Sequence, residues 1–360
     1  MRYHRWLLGV ALLTACGPRV EATVIEAMPD GDVVAEGQKL YEKYCKLCHA
    51  EAGRGYASDN ANQLANPEFL STASDAFLML AVDQGHPGTP MGAYGESFGG
   101  PLSHVDERKL VLYLRSLQTK PTAKLVTGAA QGDVARGATI FQEQCSSCHG
   151  DKAQGASAVS LNNPVFLLSA SDGYLRYAIE HGRTGTPMPA FQGEFVPQTI
   201  EDVTSFLRSL ARNVESAPRG EVPPSFENAV IHPSGPDPNF PALREGRFLP
   251  AAVVKEALEK GAKMVLLDAR PTSEWLNSHI PGALPVPYYD PDRMTAKLPR
   301  DGTWILAYCG CPHAASGHVV DTLRGQGFPR TAVIDEGVFE WVRRGYPITY
   351  GRAQPLGAPP

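Results

Sequence analysis

The apolar pattern changes character along the chain. A short run, Trp6-Leu-Leu-Gly-Val-Ala-Leu-Leu13, follows Arg2 and Arg5 and is too short to span a bilayer. Further on, apolar positions fall in short helical groups, such as Phe77-Leu-Met-Leu80 and Leu112-Tyr-Leu-Arg-Ser-Leu117. Residues 211–243 break that rhythm with Pro218, Pro223, Pro224, Pro233, Pro236, Pro238 and Pro241. Such a segment either stays extended as a semi-rigid spacer or packs along a domain surface. Beyond it the pattern alternates. Ala252–Glu259 has helical spacing, Lys263–Asp268 reads as a buried strand, and Thr303–Tyr308 and Thr331–Asp335 read as two more. Helical stretches lie between them, for example Gly317–Gly325, which predicts an α/β unit with a parallel sheet. The fold class expected is multidomain, with two all-α units followed by one α/β unit.

Candidate chemistry sharpens the first part. Cys45-Lys-Leu-Cys48-His49 and Cys145-Ser-Ser-Cys148-His149 are two copies of Cys-x-x-Cys-His, the attachment signature of c-type haem. The two thiols of each copy form thioethers with one porphyrin, and the histidine reaches the iron. Gly88-Thr-Pro-Met91 and Gly185-Thr-Pro-Met188 follow at similar distances. His/Met ligation suits electron transfer, so His49/Met91 and His149/Met188 are the expected axial pairs of two haem c. A methionine can also simply fill core, as Met79 does by its context, and His86 or His181 are alternative ligands near Met91 and Met188.

The repeat reaches past the haem motifs. Ala35-Glu-Gly37 matches Ala135-Arg-Gly137, Asn66-Pro67 matches Asn163-Pro164, and Tyr113 on a last helix matches Phe206. Both copies resemble class I cytochrome c domains over nearly their whole length. That resemblance implies a close crossing of the first and last helices at Gly37 with Tyr113 and at Gly137 with Phe206, where a glycine lets the backbones approach.

The N-terminus sets the compartment. Arg2, Arg5, the apolar run and Leu13-Thr-Ala-Cys16 read as a secretory signal. Small residues before Cys16 resemble a bacterial lipoprotein cleavage site, which makes Cys16 the expected lipidated residue; an ordinary signal peptide is the alternative. Gly17 stands where an inner-membrane retention aspartate would, so outer-membrane anchoring facing the periplasm is favoured. Of seven cysteines, Cys16 goes to lipid and four to haem, leaving Cys309 and Cys311. Domain limits follow: 1–15 signal peptide, 16–31 tether, 32–118 and 132–212 cytochrome copies, 213–243 proline-rich linker, 244–350 α/β domain. A chain of 360 residues suits this number of domains. Its net charge of −5, with no basic stripe, argues against a nucleic-acid partner.

In parallel sheets chemistry gathers at the carboxyl ends of strands, and Asp268 and Cys309 both lie there. Leu267-Asp268-Ala-Arg270, Glu274-Trp275, His279-Ile-Pro-Gly-Ala283, Tyr308-Cys309 and Gly345-Tyr-Pro347, in this order, resemble the rhodanese domain. The resemblance implies that Cys309 carries sulfane sulfur as a persulfide, in a loop whose backbone N–H groups favour a thiolate. Asp268, Arg270, His313 and Ser316 are then expected to support the active loop, with His279 positional. The loop Cys309-Gly-Cys-Pro-His-Ala-Ala-Ser316 departs from the usual pattern. It holds a second thiol, Cys311, able to resolve a persulfide, and no arginine or lysine, so thiosulfate should be a poor donor.

Two functions fit. One is a periplasmic dihaem electron-transfer protein coupled to sulfur handling at Cys309. The other is a pure respiratory electron carrier whose rhodanese-like domain only docks or senses. Expected partners are other cytochromes or a terminal reductase or oxidase, a small sulfur compound or persulfide donor, and a membrane through the lipid.

Overall fold

The computed structural model describes residues 32–212 and 225–351, apart from 59, 296, 311 and 312. Cys16 and Cys311 therefore lie outside the described residues. From Val33 onward the described residues form one compact unit.

The first cytochrome copy comprises α1 (Val33–Tyr44), α2 (Lys46–His49), α3 (Pro67–Thr72), α4 (Asp75–Gln84) and α5 (His104–Ser116). The second repeats them as α6 (Val134–Gln144), α7 (Ser146–His149), α8 (Pro164–Ser169), α9 (Asp172–His181) and α10 (Pro197–Ser209). In each copy the first and last helices cross. A Cβ at Gly37 would collide with the Lys109 carbonyl and lie 2.9 Å from Tyr113 Cβ. One at Gly137 would collide with the Asp202 carbonyl and lie 3.0 Å from Phe206 Cβ. The packed side chains are Tyr41 against Tyr113 at 5.2 Å and Phe141 against Phe206 at 5.2 Å between ring centres.

The Asn-Pro repeat has a double role. Asn66 and Asn163 cap α3 and α8, each accepting from two backbone N–H groups, and the following proline starts the helix. Their amide nitrogens then reach across: Asn66 Nδ2 donates to Thr184 O at 2.9 Å and Asn163 Nδ2 to Pro87 O at 3.0 Å. These contacts are reciprocal between equivalent positions, as are the packing of α4 on α8 and of α3 on α9. Phe77 and Tyr174, also equivalent, face each other at 5.1 Å. The two copies thus meet through a local twofold. The connection 118–131 is irregular but bound: Ala123 N donates to Ser71 O at 2.8 Å and Ala130 N to Asp172 at 2.7 Å.

Buried Glu68 adds to the same junction. Lys120 Nζ lies 2.7 Å from its carboxylate and Thr184 Oγ1 donates at 2.8 Å. Burial pushes this carboxyl up, but the Lys120 and Thr184 hydrogen bonds outweigh it and hold the pKa at about 2. A depressed carboxyl contributes stability above its unfolded pKa and loses it as pH falls through the folded one. Stability measured by denaturant should therefore drop as pH falls from about 4.5 towards 2, and Glu68→Gln should flatten that acid limb. An unchanged limb would contradict this role.

The α/β domain has a five-stranded parallel sheet of order β1-β5-β4-β2-β3. Its elements are β1 (Phe248–Leu249), α11 (Ala251–Glu259), β2 (Met264–Asp268), α12 (Thr272–Asn277), β3 (Leu284–Pro285), α13 (Pro291–Thr295), β4 (Trp304–Tyr308), α14 (Ala314–Gly325), β5 (Thr331–Ile334) and α15 (Gly337–Arg343). Helices cover both faces, so β2 is buried at every position and reads as a continuous apolar run. Residues 225–243 run along this domain: Ile231 bridges to Met264, Lys263 N donates to Pro236 O at 2.9 Å, and Phe226 packs on the core. Of the two readings of the proline-rich segment, this part packs along a domain.

Candidate functional site

Each Cys-x-x-Cys-His motif forms one helical turn directly after a long helix. His49 N donates to Cys45 O at 2.9 Å, and His149 N to Cys145 O at 2.9 Å. Both histidines are buried, and burial lowers their pKa, which keeps the imidazole neutral as an iron ligand must be. His49 Nδ1 lies 2.9 Å from Asn62 O and His149 Nδ1 lies 2.8 Å from Val159 O. A carbonyl can only accept, so Nδ1 carries the proton and Nε2 is left as the donor atom. This arrangement fits a haem iron at each site. Burial pushes the Cys45 thiol up to about 12 and the Cys48 and Cys145 thiols to about 11, so these are neutral thiols rather than nucleophilic thiolates.

The methionine segments are built alike. Thr89 Oγ1 donates to His86 O at 2.7 Å and accepts from Met91 N at 3.2 Å. Thr186 Oγ1 donates to Arg183 O at 2.8 Å and accepts from Met188 N at 3.2 Å. Gly88 and Gly185 take φ of 81° and 78° in the same turn. The Gly-Thr-Pro-Met repeat is thus a self-bonded loop that fixes the methionine. Met91 and Met188 both pack against the cytochrome core. Of the alternative ligands, His181 stacks on Tyr177 at 3.9 Å, while His86 Nδ1 is buried with no partner among the described residues.

In the α/β domain Cys309 directly follows β4, is 2 % exposed, and its sulfur lies 3.3 Å from Ser316 Oγ in the first turn of α14. Its carbonyl accepts from Val338 N at 2.9 Å, and Gly337 has no side chain to block that approach. Of the expected supporters, Ser316 touches the sulfur, while His313, Asp268 and Arg270 make the contacts that follow. His313, at φ 76°, turns its Nε2 to Asp335 O at 2.6 Å and Asp335 Oδ1 at 2.9 Å, and its ring lies 4.3 Å from Phe248. Asp268 and Arg270 form a buried pair of their own, with Nε to Oδ1 at 2.9 Å and Nη2 to Oδ2 at 2.6 Å. Arg270 also donates to Ser278 O at 2.5 Å, so the pair fixes the turn after α12. Trp275 Nε1 donates to Ala283 O at 2.7 Å and stacks on His279 at 3.8 Å, which accounts for the His-Ile-Pro-Gly-Ala signature as architecture.

One group of residues near these sites carries no motif. Tyr44, Tyr94, Tyr288 and Tyr289 cluster between the first cytochrome copy and the α/β domain. The only sequence signal for them is the adjacent pair Tyr288-Tyr289 after β3, which would be an exposed aromatic patch on an isolated domain.

The family model described as cytochrome C oxidase, cbb3-type, subunit III matches residues 32–114 and 132–207, and that of the rhodanese-like domain matches 250–344. A cytochrome c-553-like protein of Synechocystis sp. is 35% identical over 82 residues, covering 23% of this chain and 73% of that protein. The chain therefore belongs to the cytochrome c family, with two cytochrome domains that bind two haem c, followed by a rhodanese-like domain. The cbb3-type cytochrome c oxidase subunit FixP of Bradyrhizobium sp. is 32% identical over 186 residues, covering 49% of this chain and 60% of that subunit. The CcoP subunit of Azospirillum sp. is 27% identical, with 63% of its length covered. The chain spans about three fifths of the length of these curated relatives. The solved rhodanese-like domain of the Anabaena sp. Alr3790 protein is 31% identical, covering 31% of this chain and 86% of that one, with a TM-score of 0.27. Among the described residues no helix is long and apolar enough to cross a membrane.

Proposed function

We propose that the chain is a periplasmic dihaem electron-transfer protein whose rhodanese-like domain handles sulfane sulfur on Cys309. The observation that carries this is the setting of the thiol: directly after β4, and 3.3 Å from the Ser316 hydroxyl in the first turn of the 12-residue α14. A helix N-terminus and an O–H donor both stabilise a thiolate, the form that accepts sulfur. The same loop offers no lysine or arginine, and its one imidazole is engaged by Asp335. A persulfide or hydrosulfide, singly charged, suits it better than a thiosulfate dianion.

In the cytochrome domains Cys45, Cys48, Cys145 and Cys148 would hold the haems, with His49/Met91 and His149/Met188 as axial pairs. Haem so ligated supplies one-electron chemistry at a raised potential. The protein's own part is to fix each imidazole through Nδ1 and each thioether through the threonine of its loop. Cys16 is the lipid-bearing residue, with the outer membrane favoured. External partners are other cytochromes or a terminal reductase or oxidase, in keeping with the oxidase subunits it resembles.

A mild persulfide donor followed by mass mapping tests the sulfur reading. Cys309 should gain one sulfur before Cys311 does, and Cys311→Ser should leave loading intact while slowing release. A second reading, a pure electron carrier with an inactive docking domain, draws on the burial of Cys309 and the domain's tight contact with the first cytochrome copy. It stands if no donor modifies Cys309.

A further inference from the structure

The rhodanese-like domain meets the first cytochrome copy where that copy's haem-attachment turn and Cys309 both lie. α2, the turn bearing Cys48, packs on α14, the helix that follows the Cys309 loop. Leu47 packs against the apolar cluster that contains Cys309, Ala315 and Val319. Cys48 sits on that same turn, directly after Leu47. At the equivalent position of the second copy Cys148 is exposed.

This contact is built rather than incidental. Tyr288 OH donates to Tyr44 O at 2.5 Å, so the 2.7 Å bond between the Tyr94 and Tyr288 hydroxyls takes its proton from Tyr94. Ser273 Oγ donates to Ala93 O at 2.5 Å, two residues beyond Met91. A Cβ at Gly92 would lie 2.6 Å from Glu274 Cγ, which places α12 against the methionine segment itself. Both tyrosine hydroxyls are buried, and Tyr289 packs against both hydrophobic cores. Buried, fully paired polar groups of this kind fix one docking geometry.

We propose that Cys309 is wired to the first haem alone, at the Cys48 edge of its porphyrin, and that the exposed Cys148 edge of the second haem is the exit to external partners. The proposal rests on the sulfur reading above. A thioether sulfur is bonded to the porphyrin periphery, so a neighbour of Cys48 is a neighbour of the conjugated ring. The substrate class that fits is hydrosulfide. The Cys309 thiolate and HS⁻ form one S–S bond and the S–H bond breaks, giving the persulfide anion Cys309–S–S⁻, one proton passed to water and two electrons, with each sulfur oxidised by one. The electrons go to two ferric haems, one each. A two-electron donor thus meets two one-electron acceptors in a single chain.

The test reads the haems directly. In the full ferric chain the paramagnetically shifted haem methyl resonances are assigned to each haem with Met91→His and Met188→His. Cys309→Asp is then compared with Cys309→Ser. The negative charge should move the resonances of the His49/Met91 haem and lower its potential, leaving the His149/Met188 haem unchanged. Unchanged resonances for both haems, or a shift of the second haem only, overturn the proposal. Should the aspartate chain fail to fold, an isotopically labelled methylthio group is placed on Cys309 in the Cys311→Ser chain with methyl methanethiosulfonate. Its signal should be broadened in the ferric state and sharpen on reduction, and an identical signal in both states overturns the proposal. If hydrosulfide never loads Cys309, the sulfur reading fails while the wiring result stands. If the resonances do not move, the route fails while loading is untouched.

Discussion

Arg270→Met is expected to destabilise the rhodanese-like domain by about 3–5 kcal/mol, the usual cost of removing one partner from a buried ion pair. Asp268 is fully buried beside it, and Glu274 is 5 % exposed. Burial alone would lower the Arg270 pKa; the pairing with Asp268 overrides it and holds the guanidinium charged. Burial also pushes Glu274 up, and Arg270 is the main group that opposes this. Methionine keeps an unbranched apolar stem, shorter than that of arginine, but leaves Asp268 as an uncompensated charge at the end of β2 and frees the Ser278 carbonyl held at 2.5 Å. Trp275, Trp304 and Trp341 all lie in this domain, so tryptophan fluorescence in denaturant reports its unfolding. The haem absorption should report the cytochrome domains as little changed. A loss under about 1 kcal/mol would show that the pair is solvated in solution.

Cys309→Ser is expected to remove sulfur loading altogether, because serine cannot form a persulfide and its hydroxyl is far less acidic than a thiol. Fold should be retained: the substitution is nearly isosteric, and Ser316 Oγ, 3.3 Å away, offers a hydrogen-bond partner. The check is mass mapping after a persulfide donor, with unfolding as control. Persistent loading of the serine chain would move the reactive sulfur to Cys311.

The cytochrome motifs were legible because the structure they form is local. Cys-x-x-Cys-His occupies one turn, the methionine loop closes on its own threonine, and Asn-Pro caps a helix. Each therefore recurs as a short string in both copies. The sheet was legible where burial on both faces makes long apolar runs, as in β2 and β4. β1 and β3 were missed because two residues each carry no period. The turn of His313 to Asp335 depends on β5 arriving beside the loop, which no local pattern encodes. The same holds for Asp268 and Arg270, whose partner Ser278 lies beyond α12. The docking of the first cytochrome copy on the rhodanese-like domain joins residues far apart in sequence, through α2 on α14 and, beside them, single tyrosines and one serine. It leaves no repeat or spacing to read, although the proposed route from thiol to haem depends on it.

Sulfur chemistry at Cys309 is expected to deliver its electrons to the haems. The direct measurement is an anaerobic single turnover: the fully ferric chain is mixed with hydrosulfide and the reduced haem absorption is recorded against persulfide formed on Cys309. Reduction of both haems for each persulfide, absent in the Cys309→Ser chain, is the expected result. Haem reduction of equal rate and extent in the Cys309→Ser chain would contradict it.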